Sequence, residues 1–157
     1  MTTIKPVQTK KELKKFIMLP FKLYKNDPHW VAPLIMDQKN FFNPAKNPYY
    51  EHSEVQLFLA EKNNEIVGRI SAHTNTQHNK FHEDKIGFFG FFESINDQKV
   101  ADELIDAAAQ WVKEKGMDTL RGPMNFSTNE ECGLLVEGFD SAYFTINFAS
   151  NKSAPPK

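Results

Sequence analysis

IGFFGFF, residues 86–92, is an almost continuous apolar run that is broken only by two glycines. Such a run is typical of a central strand covered on both of its faces. Working outward, Asn96 or Asp97 begins a helix with an apolar stripe, and Gly116 is well placed to end it in the left-handed conformation. Residues 118–124 predict another strand. A strand, a helix and a strand in this order predict two parallel strands joined by a right-handed crossover.

The residues before this unit predict an antiparallel hairpin. Residues 55–59 alternate in the manner of a strand, 62–65 form a turn, and 66–72 form the returning strand. Gly68 within the second strand indicates a bulge or a close approach of another backbone.

The first 42 residues predict a short strand followed by two helices. Residues 4–8 are expected to form the strand, and Thr9 and Glu12 have the spacing of a capping box, which opens a helix. Pro20 is expected to interrupt this helix, because proline lacks the backbone N–H and clashes with the preceding turn. A second, short helix is expected over residues 33–42.

The size and charge of the chain exclude several classes of protein. Its 157 residues are typical of one domain. The net charge is −1, so the strong positive field that nucleic-acid binding needs is absent. Cys132 is the single cysteine, and no apolar run approaches the roughly 20 residues that cross a bilayer. These features predict a cytoplasmic protein without a nucleic-acid or membrane partner.

We expect a single domain over residues 1–149 and a disordered tail over 150–157.

The order of elements and several motifs resemble the GNAT (GCN5-related N-acetyltransferase) superfamily. EIVGRI at 65–70 is similar to its hairpin, residues 87–125 to its strand 4, helix 3 and strand 5, and Gly138-Phe139 to the pair after its helix 4. Runs such as DPHWV at 27–31 resemble a little-studied bacterial GNAT-like family, over residues 15–141. The expected fold class is therefore α/β, with a GNAT-like mixed sheet (the acyl-CoA N-acyltransferase fold). We expect it to be incomplete at the C-terminus, because one further strand fits after Phe139 and two are needed.

The resemblance implies acetyl-CoA or another acyl-CoA as a substrate. Its pantetheine would pair with the strand edge at Phe91 and Phe92, and its pyrophosphate would lie near three residues of the following connection, Ser94, Gln98 and Lys99. This connection lacks the glycines of the family's phosphate loop. Asp97 could itself cap the helix and occupy the N–H groups that a phosphate needs.

The resemblance also implies transfer of the acyl group to an amine. Glu93, at the end of the central strand, is the candidate general base, acting directly or through water, and a solvated strand-end carboxylate is its alternative role. Many GNAT enzymes have a tyrosine as general acid four residues before the Gly-Phe pair, where this chain has Leu134. Tyr143 is the candidate replacement.

Candidate residues for the acceptor follow the last strand and the first helix. Asn125 and Asn129 are expected to contact an acceptor substrate, since ligands of open α/β sheets bind beyond the C-terminal strand ends. The resemblance implies that the connection between the first two helices shapes the acceptor site, so Trp30 is a further candidate, with a packed cap over the sheet as its alternative role. Ser127 is interpreted instead as the cap of a short helix over residues 127–136.

The polar stretch 74–85 is expected to be a loop. His73, His78, His82 and Glu83 match no compact zinc spacing, so no metal site is predicted.

Two functional hypotheses remain open from the sequence. The first is an N-acyltransferase that uses acyl-CoA. The second is a non-catalytic GNAT-like module that binds a partner chain or small ligand, and it follows from the absent glycine loop and the absent tyrosine. An exposed edge at Leu120 predicts a homo-oligomer or a partner chain that completes the sheet.

Overall fold

The computed structural model of the protein describes residues 1–134 and 136–137. Its strands follow the predicted order as far as the second parallel strand, and a helix that was not predicted lies between the third and fourth strands. In chain order they are β1 (Thr2–Pro6), α1 (Lys10–Leu23), α2 (Ile35–Phe41), a 3₁₀ helix (Pro48–Glu51), β2 (Ser53–Lys62), β3 (Glu65–Asn75), α3 (Thr76–His82), β4 (Ile86–Ser94), α4 (Gln98–Glu114) and β5 (Thr119–Arg121).

The strands form one five-stranded sheet in the order β1-β2-β3-β4-β5. All neighbours are antiparallel except β4 and β5, which are parallel and joined by α4. The predicted α/β mixed sheet and its parallel unit are confirmed. Gly116 ends the α4 region with φ of 82°, as expected of a left-handed terminator.

The sheet has a core on each face. Helix α4 covers one face with an aliphatic stripe whose members Val100, Leu104 and Ala108 are fully buried. Gly68 lies under this stripe, because a Cβ there would be 2.7 Å from Leu104 Cδ1. The predicted bulge and close backbone approach are both present, since the β2–β3 register shifts beside Gly68 and the Cβ would be 3.1 Å from the Glu93 carbonyl oxygen. The other face lies under α1 and α2 and is largely aromatic, with Phe16 and Phe126 at its centre.

Helix α1 begins as predicted and ends later than predicted. The Thr9 side chain accepts from the Glu12 amide, and the Glu12 carboxylate accepts from the Thr9 amide, so the capping box is complete. The expected interruption at Pro20 is wrong, since the helix continues through it to Leu23. The hydrogen bond that Pro20 cannot make is replaced by a side chain from β3.

Two predictions for shorter segments are also wrong. The stretch expected to be a loop contains the end of β3 and helix α3, because the Asn75 side chain caps this helix by accepting from the His78 amide. The described part of 127–136 is not helical. Ser127 accepts from the amide of Asn129 in a turn, and Met124 forms an isolated bridge with Cys132.

No helix in the described part of the chain is long and apolar enough to cross a membrane.

Candidate functional site

Strand β4 carries a bulge next to the end of β5. Arg69 of β3 faces Glu93 of β4, and Ser71 faces Gly90, so three steps along β4 match two along β3. Phe91 has a φ of 49°, which is uncommon outside glycine. A bulge bends its strand and redirects the side chains that follow. Glu93 therefore points into the aromatic face of the sheet rather than outward into water.

Glu93 is 7% exposed, so the alternative of a solvated strand-end carboxylate is wrong. One of its oxygens, Oε2, accepts a hydrogen bond from the Tyr24 hydroxyl. The other, Oε1, lies 3.7 Å from Arg69 Nη2. The strand-end carboxylate thus has a buried tyrosine and a buried arginine as neighbours.

Burial raises the pKa of Glu93 to about 7, although Arg69 and the Tyr24 hydrogen bond act in the opposite direction. At neutral pH this carboxyl group is therefore divided between its ionised and protonated forms. A general base is most effective when its pKa lies near the working pH.

Asn125 ties the segment after β5 to the bulge. Its Oδ1 accepts from the Phe91 amide at 2.6 Å, and its Nδ2 donates to Glu131 Oε2 at 2.9 Å. The Met124 amide donates to the Phe89 carbonyl at 2.8 Å, so this segment runs directly against β4. The Phe91 amide that the resemblance would give to pantetheine is therefore already bonded, and Asn125 is a buried link between two segments.

The start of α4 is capped by its own side chain. Asp97 accepts from the Lys99 amide at 3.1 Å, and its Oδ2 lies 2.8 Å from Lys62 Nζ. The Lys62 hydrogen bond, more than the helix amides, lowers the pKa of Asp97. The predicted capping by Asp97 is confirmed, and it uses an amide that would otherwise face a bound phosphate.

The other residues predicted to bind the cofactor or the acceptor lie at separate places around Glu93. Ser94 donates to the Ile95 carbonyl, Gln98 bonds Asp102 along α4, and Lys99 is exposed. Trp30 is half-buried and packs on Phe21 and Tyr24, with ring centroids 5.2 and 5.6 Å apart.

Phe92 packs on the α4 side of the sheet, away from the aromatic face, and Asn129 lies in an exposed turn. Tyr143 lies outside the described residues, so its expected role as the acid stays a prediction.

Tyr24 and Arg69 are the neighbours of Glu93 that reasoning from the sequence missed. The available signal was an arginine inside the predicted strand 66–72, where the only other polar side chain is Ser71, because a buried guanidinium needs a partner. Tyr24 carries no such signal, because nothing local in the sequence connects it to a carboxylate that lies 69 positions later.

His73 lies on the same face of β3 and is fully buried among aromatic rings. Its ring stacks on Phe88 with centroids 5.8 Å apart, and neither of its nitrogens has a hydrogen-bond partner among the described residues. Burial lowers the pKa of His73 from 6.5 to about 3. In the described part of the chain, no three His, Cys, Asp or Glu side chains are grouped to hold a metal ion.

We expect the neutral state of His73 to make stability depend on pH. Because its pKa is lower in the folded chain, its contribution is complete above about pH 6.5 and is lost as the pH falls toward 3. His73→Phe should gain stability relative to wild type by about 2–3 kcal/mol between pH 7 and 4.5. Urea unfolding at both pH values measures this difference. His82→Gln, at an exposed position, is the control, and an equal effect in both variants would contradict the assignment.

Comparisons with known proteins find this mixed-sheet fold in solved acetyltransferases. A solved probable acetyltransferase superposes with a TM-score of 0.56 at 16% identity, covering 94% of this chain and 99% of that one. A predicted acetyltransferase with acetyl-CoA from Clostridium acetobutylicum gives a TM-score of 0.54 at 14% identity, covering 77% and 79%. At such identities the likeness is one of fold.

Residues 21–122 match the Acetyltransferase (GNAT) family, and the chain belongs to this family. It is also 43% identical over 137 residues to the bacterial ceramide synthase of Caulobacter vibrioides (strain NA1000 / CB15N), covering 87% of this chain and 36% of the relative. It is 39% identical over 132 residues to Protein YghO of Escherichia coli (strain K12), covering 84% and 34%. The chain thus spans about a third of the length of these two relatives.

Proposed function

We propose that the chain contributes the acyl-transfer site of an N-acyltransferase that uses acyl-CoA, with Glu93 as its general base. The observation that carries this proposal is a buried carboxyl group at the bulge of β4, with a pKa raised to about 7. The ionised form would take a proton from the acceptor amine, directly or through one water. The amine nitrogen would then attack the thioester carbon, the C–S bond would break, and the thiolate would take up a proton.

We further propose a long-chain amine as the acceptor and a fatty acyl group as the one transferred. A ceramide is an amide of a long-chain amino alcohol, and the relative named for its synthesis shares 43% identity with this chain. This choice is supported by an exposed apolar segment that runs from the connection after α1 into the first turn of α2, formed by Val31, Leu34, Ile35 and Met36. It directly follows Trp30, which packs on the Tyr24 bonded to Glu93. An alkyl chain that lay on this segment would gain about 0.8 kcal/mol per buried CH₂ group.

Mass spectrometry of amide products tests both levels of the proposal. The protein is incubated with acetyl-CoA or palmitoyl-CoA, and each donor is paired with a short and a long alkyl amine. We expect amide formation, and a higher rate when both partners have long chains. Amides from short partners alone would contradict the lipid acceptor. No amide with any pair, together with no heat of binding in titrations with either donor, would favour the non-catalytic module.

Asp97→Asn is expected to tighten CoA binding by about three- to fivefold. The amide can still cap α4, but the negative charge near the helix N-terminus is gone and Lys62 is released for an incoming phosphate. Isothermal titration with CoA measures the affinity. Asp102→Asn, one turn further along α4, is the matched control and should change it little. If Asp97→Asn weakens binding or leaves it unchanged, the pyrophosphate does not approach this helix end.

A further inference from the structure

We infer that Tyr24 and Arg69 are positioning residues that hold the Glu93 carboxylate in one orientation and leave its Oε1 atom to take the proton. The inference rests on the proposed function. It concerns a network that joins the end of α1, the middle of β3 and the bulge of β4.

Arg69 has little freedom to move. It is 6% exposed, and its guanidinium lies over the Phe16 ring at 4.9 Å and near the Phe91 ring at 5.9 Å. Its Nη1 donates to the Phe16 carbonyl at 2.9 Å. A buried guanidinium that is bonded and stacked in this way presents its remaining N–H groups in a fixed direction. One of them, Nη2, lies 3.7 Å from Oε1 of Glu93, the cross-strand neighbour of Arg69.

The carbonyl that holds Arg69 is available because of Pro20. In an α-helix the carbonyl of residue 16 would accept from the amide of residue 20, and proline has no such amide. The orphaned acceptor is buried, since Phe16 is fully buried, and it needs another donor. Arg69 Nη1 supplies that donor. The proline inside α1 thus leaves a buried carbonyl that holds the Arg69 guanidinium in position.

Tyr24 fixes the other side of the carboxylate. It is 8% exposed, its amide donates to the Pro20 carbonyl at the end of α1, and the Trp30 ring lies on it. Its hydroxyl donates to Glu93 Oε2, which therefore has a charge-assisted partner when Glu93 is ionised. Glu93 Oε1 is 3.7 Å from Arg69 Nη2, beyond hydrogen-bond distance. Oε1 is thus the oxygen with the greater capacity to accept a proton.

Among the residues that the structure describes, three charged or titratable groups act on Glu93. Arg69 from β3 and the Tyr24 hydroxyl beside α1 both favour the ionised carboxylate, whereas Glu131 after β5 disfavours it. Removing either Tyr24 Oη or the Arg69 charge must therefore raise the pKa of Glu93 above its present value of about 7.

Titration of Glu93 itself tests the inference without relying on turnover. Protein labelled with ¹³C at the glutamate carboxyl carbons is followed by NMR from pH 5 to 9, with Glu93→Gln used to assign the signal. Tyr24→Phe should move the Glu93 midpoint up by about one unit. Arg69→Met should move it in the same direction if it folds. Tyr50→Phe, also a partly buried tyrosine on the aromatic face, is the matched control.

We also expect Tyr24→Phe to change the pH dependence of kcat/KM for acyl transfer. An upward shift of one unit lowers the ionised fraction at pH 7 by about fivefold, so kcat/KM of Tyr24→Phe should fall by about this factor and recover near pH 9. The KM for acyl-CoA should not change, and Tyr50→Phe should behave like wild type.

The outcomes separate this inference from the proposed function. A Glu93 midpoint in folded Tyr24→Phe that coincides with that of wild type would overturn the positioning role, whether or not the protein turns over. A shifted midpoint in a protein that forms no amide would support the network and contradict the proposed function. A uniform loss of activity at all pH values, without a shifted midpoint, would show a merely structural role.

Discussion

Glu93→Gln is expected to lower the rate of acyl transfer by about 10²- to 10⁴-fold, the range that general bases contribute. The amide keeps the shape of the carboxyl group and can still accept from the Tyr24 hydroxyl, but it cannot take a proton. The loss should therefore appear in kcat, with the KM for acyl-CoA nearly unchanged. Initial rates of amide formation at pH 7.5 measure both constants.

The control for this variant is Glu65→Gln, the same change at an exposed carboxylate that pairs with Lys22. It should retain wild-type rates. Glu93→Gln should also remain folded, because the raised pKa of Glu93, about 7, means that the fold already accommodates a neutral side chain at this position at lower pH. If folded Glu93→Gln retains a tenth or more of the wild-type rate, Glu93 is not the base.

The pH dependence of stability gives an independent check on Glu93. Its pKa is raised in the folded chain, so its favourable contribution is complete below about pH 4.5 and is lost as the pH rises toward 7. Over this window the stability of Glu93→Gln relative to wild type should therefore increase with pH. This direction is opposite to the one expected for His73.

Gly90→Ala is expected to destabilise the protein by at least about 3 kcal/mol, a large part of the stability of a typical domain. A Cβ on Gly90 would overlap the Met124 carbonyl oxygen and lie 2.7 Å from the Met124 carbonyl carbon and 3.0 Å from Asn125 Oδ1. The Met124 backbone cannot yield easily, because its amide is bonded to the Phe89 carbonyl. Chemical denaturation followed by far-UV circular dichroism measures the loss.

Gly116→Ala is the matched control for this effect. Gly116 has a positive φ, of 82°, which Gly90 does not, but a Cβ at Gly116 would meet no atom within 4 Å. Its substitution should therefore cost only the backbone strain, about 1 kcal/mol. Equal losses at the two positions would show that the segment after β5 does not pack against β4 as described.

Local sequence signals predicted the elements whose causes are themselves local. The apolar stripe of α4, its Asp97 cap and the capping box at Thr9 each depend on residues within a few positions. The parallel unit followed from the continuous apolar run of β4 and the crossover rule.

The failures arose where a distant residue changed a local rule. Pro20 remains within a helix because Arg69 replaces the missing amide, 53 positions along the chain from the carbonyl it bonds. Residues 127–130 form a turn instead of the first turn of a helix, and the bridge between Met124 and Cys132 holds this segment against its neighbour. The burial of Glu93 depends on the bulge in β4. A single sequence gives no direct sign of where three steps along one strand will lie opposite two steps along its neighbour.

Pro20 has a consequence for how the chain tolerates change. Alanine at this position would offer the Phe16 carbonyl a helical amide in competition with Arg69, which would free the guanidinium to leave Glu93. Substitutions at positions 20, 69 and 93 should therefore be non-additive, with coupling energies of about 0.5–3 kcal/mol in double-mutant cycles. A residue that normally weakens a helix is here thermodynamically linked to an ion pair in the sheet, so the three positions are expected to vary together in evolution rather than independently.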